Sequence, residues 1–485
     1  MLTVFTLSHK FRTIGIRRHK FALNDIFYPW LFWVNCVLFS FLFYVGEMMQ
    51  FLDKVFHLED AHTNVKRELI AALTTFVSLS YILFVNPNIL SAAGINKGAA
   101  FTVTAIATAI GCFLMGFIAN YPIALAPTLG SAAFFSYNVV IGMHINWQTA
   151  LASVLVASIL FILITVLKLR EKVVDAIPQD LKYAISAGIG LFIAFIGLQN
   201  GKLIVDNKSS LVGLGSFNNP AVWITLFGLI LTVILMAAKV PGSIFIGMIV
   251  TAIFGMVIGQ IPMPHGIVSG APSIAPTFGQ AVFHLKDINT PQLFMVVLTF
   301  LLVTFFDTAG TLIGMTQQAG MVDKNGKIPR IGKAFLSDSL AMVEGSVLGT
   351  APLGTSVESS AGIAMGGRTG LTAIFVGILF LISMIFSPLL AVIPTTVTAP
   401  ALIIVGVLMA ENLKYIHWDN FEIAFPSFLV VVGMPLTYSI SDGLALGMIA
   451  YPITMIASKR YKEVSPMMYI LFVIFIIFFL ITNMG

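Results

Sequence analysis

Two carboxylates at membrane depth point most directly to chemistry in this chain. Asp307 lies in FFDTAGT, near the middle of an apolar run at 292–315, and Glu358 lies in the run APLGTSVESS at 351–360. A charged side chain at the centre of a membrane helix costs roughly 2.5–3.5 kcal/mol on insertion scales, so such residues normally serve a substrate or ion path. An acid at 307, set in an apolar wall, suits the carriage of a proton. It could also do no more than pin two helices by a hydrogen bond. Glu358 opens a half-helix, where the positive end of the helix dipole meets a carboxylate. Glu344 also lies at membrane depth, in a run at 335–350, but no break or motif surrounds it and packing explains it equally well.

The backbone around Glu358 is as telling as the acid. APLGTSVESS has a counterpart in APTLGSAAFF at 126–135. Pro127 and Pro352 cannot donate a backbone hydrogen bond, and Gly130 and Gly354 weaken a helix. Both runs should therefore be interrupted helices whose freed N–H and C=O groups can face a polar ligand. The plainer alternative is that each merely kinks a packed helix, which membrane proteins tolerate.

The elements that must position these groups follow from composition. The chain has 485 residues, 58% hydrophobic and 10% charged, with a mean hydropathy of +0.97. That much apolar surface calls for lipid, so the chain reads as an all-α polytopic membrane protein. Apolar runs fall at 69–90, 100–119, 122–143, 147–167, 181–199, 221–238, 243–260, 292–315, 335–350, 351–366, 370–393, 397–410, 421–437 and 440–457, and another at 467–483 leaves the count near the C-terminus open. Lys66 and Arg67 precede the first run. Lys168, Arg170, Lys172, Lys239, Lys324, Lys327, Arg330, Lys333, Arg368, Lys414, Lys459, Arg460 and Lys462 all follow an even number of crossings. Fourteen spans thus place all of these residues on the cytoplasmic side. The net charge of +5 belongs to these loops and gives no reason to expect a nucleic-acid partner.

The broken runs are the third and tenth spans, and so correspond if 49–260 and 292–485 are seven-span repeats joined by an external loop at 261–291. Seven is odd, so the second repeat would be inverted relative to the first. Residues 1–48 fit this scheme poorly. The apolar run FYPWLFWVNCVLFSFLFYVGEMMQFL at 27–52 follows Lys10, Arg12, Arg17, Arg18 and Lys20. Were it to cross with that basic flank inside, every later loop would invert. It reads as an extension outside the transporter, interfacial or preceding a start at Met48 or Met49. No small-residue cleavage site marks it as a signal peptide.

Other chemistries find little support. Cys36 and Cys112 sit in apolar runs, so a disulfide framework is not expected. The histidines at 9, 19, 57, 62, 144, 265, 284 and 417 all lie outside the spans or at their edges, which argues against a membrane metal centre. GMVDKNGK at 320–327 departs from a phosphate loop in spacing and in its following Ile328, so no ATP or other cofactor is expected. No nucleophile–base pair suggests an enzyme.

The motifs FFDTAGTLIGMTQQAG (305–320), VESSAGIAMGGRTGLTAI (357–374) and SPLLAVIPTTVTAPALIIVGVLMA (387–410) resemble the AzgA-like branch of the nucleobase:cation symporters, in particular bacterial hypoxanthine/guanine permeases. ELIAALTTFVSLSYILFVNP (68–87) and YPIALAP (121–127) match as well. The resemblance runs from about Met49 to the C-terminus and includes the run at 467–483. It implies fourteen spans in two inverted repeats, with spans one to four and eight to eleven as a core domain and the rest as a gate domain.

Carried over by motif, Glu358 and Asp307 match the two acids that contact the purine and couple to the proton. Thr311, one turn after Asp307, matches a further site position, and Phe134 and Phe135 match aromatics where a base could stack. The implied site set also takes in Ser356, Ser359, Gly130 and Ala132. Two departures stand out. The family's Gly-x-Asn-Ala-Phe-Phe is here Gly130-Ser131-Ala132-Ala133-Phe134-Phe135, without the amide, and its Tyr two residues before the glutamate is here Ser356. These expectations describe a plasma-membrane symporter for a purine base (hypoxanthine, guanine or adenine) and protons, without cofactor or metal. Which base is preferred and whether a homodimer forms stay open. The competing reading is a small-anion transporter or exchanger on the same inverted-repeat fold, and Glu358 argues against it.

Overall fold

The computed structural model describes residues 50–167, 177–264, 266–321 and 328–483; of residues 306, 307, 309, 310, 313, 391, 392, 478 and 481–483 it describes the backbone only. The extension 1–48 and most of the apolar run at 27–52 lie outside the described residues, as do Lys168, Arg170, Lys172, His265, Lys324 and Lys327. The described residues before Phe56 belong to one unit, and the fold below is that of Phe56–Gly485.

Every apolar run from 69 onward contains helix, two of them after a short strand, and eight of the helices described are long and apolar enough to cross a bilayer. The first span is split. α1 (Val65–Leu79) starts at Asn64, whose side chain caps the Arg67 N–H, and α2 (Ile82–Ala92) resumes after Ser80 and Tyr81. Pro87 cannot donate to the carbonyl one turn back, and the Ser80 hydroxyl donates to the Phe76 carbonyl at 2.5 Å, so the backbone ladder is weakened on both sides of Tyr81. α3 (Lys97–Leu114) passes into a π-helical turn at Met115–Ala119 and stops at Asn120 in the left-handed region, φ 54°.

The third span is strand β1 (Leu125–Pro127), short helix α4 (Leu129–Ala133) and a π-helical stretch at Phe134–Gly142. α5 (Trp147–Val166) and α6 (Gln179–Asn200) follow, then a hairpin of β2 (Ile204–Asn207) and β3 (Leu211–Leu214), then α7 (Pro220–Ala237) and α8 (Ser243–Val257). After the short α9 (Gln280–Phe283), the second half runs through α10 (Pro291–Gln318) and α11 (Ile331–Leu348) to strand β4 (Leu353–Thr355) and short helix α12 (Ser359–Ala364). α13 (Gly370–Ser383), α14 (Thr395–Ala410), α15 (Phe421–Thr437), α16 (Ile440–Ala457) and α17 (Pro466–Asn483) complete it.

Two packing groups emerge. α1 to α3, α5, α10, α11 and α13 pack on one another around the broken third and tenth spans. α6, α7, α8, α14, α15 and α16 form a second group centred on α6 against α14 and α15. These are the core and gate domains. Small residues let the gate helices approach closely: a Cβ on Gly190 would lie 2.8 Å from the Gly406 carbonyl, and one on Gly406 only 2.4 Å from the Gly190 carbonyl.

Loops reached by an even number of crossings gather together. Arg67, Asn120, Arg330 and Arg368 line one cleft. Asp180 meets His417 at 2.8 Å, a hydrogen bond that holds this exposed imidazole above its ordinary pKa, and Arg460 reaches Glu422 at 3.1 Å. Odd-numbered loops make their own contacts. Lys97 donates to the Ile393 carbonyl at 3.2 Å, Asn200 to the Tyr137 hydroxyl at 3.2 Å and Asn138 to the Tyr438 carbonyl at 3.4 Å.

Candidate functional site

The two proline-glycine interruptions meet. β1 and β4 pair antiparallel, with Leu125 opposite Thr355, Ala126 opposite Gly354 and Pro127 opposite Leu353. Flanking backbone bonds extend the pair, Thr128 N–H to the Pro352 carbonyl at 3.1 Å and Ser356 N–H to the Ala124 carbonyl at 3.0 Å. The Ser359 hydroxyl accepts the Ala124 N–H at 2.9 Å, so this expected site residue spends a lone pair on holding the crossing together. Gly354 has a steric reason to be glycine: an added Cβ would lie 2.7 Å from Thr128 Cγ2 and 3.3 Å from Thr308 Oγ1.

Glu358 sits half-buried at the head of α12, and both its oxygens are engaged. Tyr81, buried at the break in the first span, donates its phenol hydroxyl to Oε1 at 2.5 Å. Ser356 donates its hydroxyl to Oε2. The carboxylate is thus oriented from two sides, by its own loop and by a residue 277 positions away in sequence. Nothing in the local spacing around Tyr81 announces this contact. The Ser80-Tyr81 pair ahead of Pro87 in an apolar run is the one sequence signal of a break, and hence of a usable polar group, there.

α10 brings its acidic turn to the same crossing. The Thr355 hydroxyl of β4 donates to the Thr308 carbonyl at 3.4 Å, and the Thr308 hydroxyl donates to Asp338 Oδ1 at 3.3 Å. The backbone of Asp307 therefore lies in the turn next to β4; its side chain is outside the description. Thr311 follows one turn on and is half-buried. Asp338, fully buried on α11, is a further acid at this junction, and the membrane-depth criterion that singles out Glu344 applies to it equally. Both Glu344 carboxyl oxygens are buried with no hydrogen-bond partner among the described residues.

The third-span residues are packed. Phe134 is fully buried and stands edge-to-face on Phe300 of α10, centroids 4.8 Å apart at 69°; Phe135 is buried too. A Cβ on Gly130 would come within 2.8 Å of Ile189 Cγ2 on α6, so this glycine seats the core against the gate, and Ala132 is buried beside it. The structure therefore gathers Glu358, Ser356, Ser359 and the Asp307–Thr308 turn at the strand crossing, with Tyr81 added. Phe134 and Phe135 stand beyond it along the π-helical stretch.

A family model described as "Permease family" matches residues 66–446. Among curated proteins, the chain is 51% identical over 434 residues to the guanine/hypoxanthine permease PbuG of Bacillus subtilis, covering 88% of this chain and 98% of that one. It is 39% identical to the adenine permease AdeQ of Escherichia coli (87% and 94% covered) and 36% identical to the nucleobase transporter PlAzg2 of Paenibacillus larvae (80% and 76% covered). Among solved structures, the transmembrane domain of the cyanobacterial bicarbonate transporter BicA superposes with a TM-score of 0.60 at 16% identity, over 79% of this chain and 96% of that one. The murine anion transporter Slc26a9 in its inward-facing state gives 0.57 at 9% identity, over 81% and 68%. These neighbours carry the seven-plus-seven inverted-repeat transporter fold, and at such identities they speak for the fold alone. With the strand crossing between the two broken spans, the two packing groups and a family match over most of its length, the chain is a multi-pass membrane protein of the permease family, in the AzgA-like branch that its motifs resemble.

Proposed function

We propose that this permease imports a purine nucleobase, guanine or hypoxanthine first and adenine less well, and that protons drive the uptake. The observation that carries the reading is the Glu358 carboxylate at the β1–β4 crossing, held by the Tyr81 and Ser356 hydroxyls. A carboxylate offers about four acceptor positions. Two are taken, and the rest suit a ring edge that presents N–H donors, with charge assistance. The relatives named for guanine/hypoxanthine and adenine point the same way, and their names are the reason to look for a purine rather than another heterocycle. The alternative, a small-anion transporter on the same fold, fits the site less well, because a carboxylate at the crossing would repel an anion there.

Proton coupling is assigned to Asp307 and Glu358, the acids on either side of the crossing, with Thr311 on the Asp307 face of α10 as a further contact for the base. Phe134 and Phe135 act as the apolar wall behind it. The test is uptake of radiolabelled guanine, hypoxanthine and adenine in cells lacking their own purine permeases, each base also serving as competitor. Glu358→Gln should lower guanine uptake about 100-fold at equal membrane abundance. An amide N–H would then face a donor edge, a loss of roughly 2.7 kcal/mol. Near-normal uptake and affinity in Glu358→Gln would remove Glu358 from the site.

A further inference from the structure

We infer that Tyr81 is a specificity-determining residue. Its phenol, reaching across from the break in the first span, fixes Glu358 as a double acceptor and so sets the preference for a purine edge with two adjacent N–H donors over one that mixes donor and acceptor. The inference rests on the proposal that the base meets Glu358.

The geometry is specific. Oε1 accepts from Tyr81 at 2.5 Å and Oε2 accepts from Ser356, so one O–H is aimed at each oxygen. A hydroxyl on each oxygen halts rotation of the carboxylate about its terminal bond and leaves acceptor positions on both oxygens. Guanine presents N1–H and the exocyclic N2–H side by side and matches such a pair; hypoxanthine presents N1–H beside C2–H, so it engages one oxygen and sets no lone pair against the other. Adenine presents N6–H beside the N1 lone pair. It would match a carboxylic acid, which offers one donor and one acceptor, but not a carboxylate whose oxygens both accept. Buried polar groups left facing the wrong partner are the strongest source of discrimination between substrates of similar shape.

The two hydroxyls are not equivalent. Ser356 shares the loop of Glu358 and moves with it, whereas Tyr81 comes from a different span. Its ring is buried among apolar neighbours, and the split between α1 and α2 fixes where it points. Tyr81 is therefore the external reference that sets the orientation of the carboxylate relative to the core domain. It is a positioning residue, not a direct ligand.

The test uses the full-length protein, with Tyr81→Phe, which keeps the ring and deletes the hydroxyl. The readouts are guanine KM, maximal uptake rate, and the ratio of guanine to adenine as competitors, all at matched membrane abundance. Guanine KM should rise about tenfold, as expected for one lost hydrogen bond to a charged group. The guanine-to-adenine preference should fall by a similar factor, and the maximal rate should stay within about twofold. Ser356→Ala should move the preference in the same direction but less. A packing role would leave the ratio unchanged. An unchanged KM and ratio in Tyr81→Phe, with Glu358→Gln inactive, overturns the inference and leaves the base site standing. Unimpaired Glu358→Gln overturns the base site instead. Failure of Tyr81→Phe to reach the membrane would show that the hydroxyl serves folding, and would equally end the claim.

Discussion

Asp307 and Glu358 were legible as single residues because an acid in an apolar run is rare and has few structural uses. What the sequence could not show is which other side chains they meet. Tyr81 and Ser356 hold Glu358 through contacts spanning 277 and 2 positions, and only the second is local. Asp338 reaches the turn of Asp307 by way of Thr308, a junction invisible without the packing of α10 on α11. If Asp307 carries the coupled proton, Asp307→Asn should keep its hydrogen-bonding capacity but lose the titrating group. Exchange of labelled base across the membrane should then survive, while accumulation driven by a proton gradient falls to the background level. The check is base-dependent proton uptake in reconstituted vesicles. Persistence of that signal would move the coupling to another acid, and Glu344, whose carboxyl oxygens have no hydrogen-bond partner among the described residues, would be next.

At the scale of elements, the matched Ala-Pro and glycine runs announced the broken third and tenth spans, and the register of β1 on β4 follows from them. The split of the first span was hidden because α1 and α2 together read as one continuous apolar run. Only Pro87 and the back-bonding of Ser80 disturb it. A further tie was equally hidden. Glu68, fully buried in α1, accepts the N–H groups of Arg368, Thr369 and Thr372 and the hydroxyls of Thr63 and Thr372, and so clamps the start of α13 to the first span. A Glu next to Lys66 and Arg67 looks like a solvated loop residue until its partners 300 positions away are seen. The strand crossing is itself testable through Gly354. An alanine there sets a methyl 2.7 Å from Thr128 Cγ2, a β-branched side chain with little freedom to move. Gly354→Ala should cut uptake of every base by about tenfold or more through strain of order 1–3 kcal/mol, without changing their order of preference. A variant with normal uptake would mean the crossing has slack; an altered base order would place position 354 in recognition.

For the whole molecule, the clusters of basic residues named above follow an even number of crossings, while Lys97, Lys202, Lys208 and Lys286 stand singly after odd ones. The fold agrees with this pattern, since residues from before the first span and from after the second, eighth and tenth line a common cleft through Arg67, Asn120, Arg330 and Arg368. Contacts at odd-numbered loops, such as Lys97 to Ile393 and Asn200 to Tyr137 in the last part of the third span, lie apart from that cleft. Fourteen crossings in two inverted halves produce this segregation, because an odd repeat returns each corresponding loop to the opposite end. The positive-inside tendency then assigns the basic end to the cytoplasm. Lys66, Lys333 and Lys462 are exposed at that end, and Ser209, at the tip of the β2–β3 hairpin, is exposed after an odd number of crossings. Single cysteines placed at these positions in a background without Cys36 and Cys112 make the prediction concrete. A membrane-impermeant thiol reagent added to intact cells should label Ser209→Cys and spare Lys66→Cys, Lys333→Cys and Lys462→Cys, all of which should react once the membrane is opened. Labelling of position 66 alone from outside would mean that the segment preceding α1 crosses and that the first span is misassigned. Labelling of all three basic positions with protection of Ser209 would invert the molecule, and the base would then have to enter through the arginine-lined cleft.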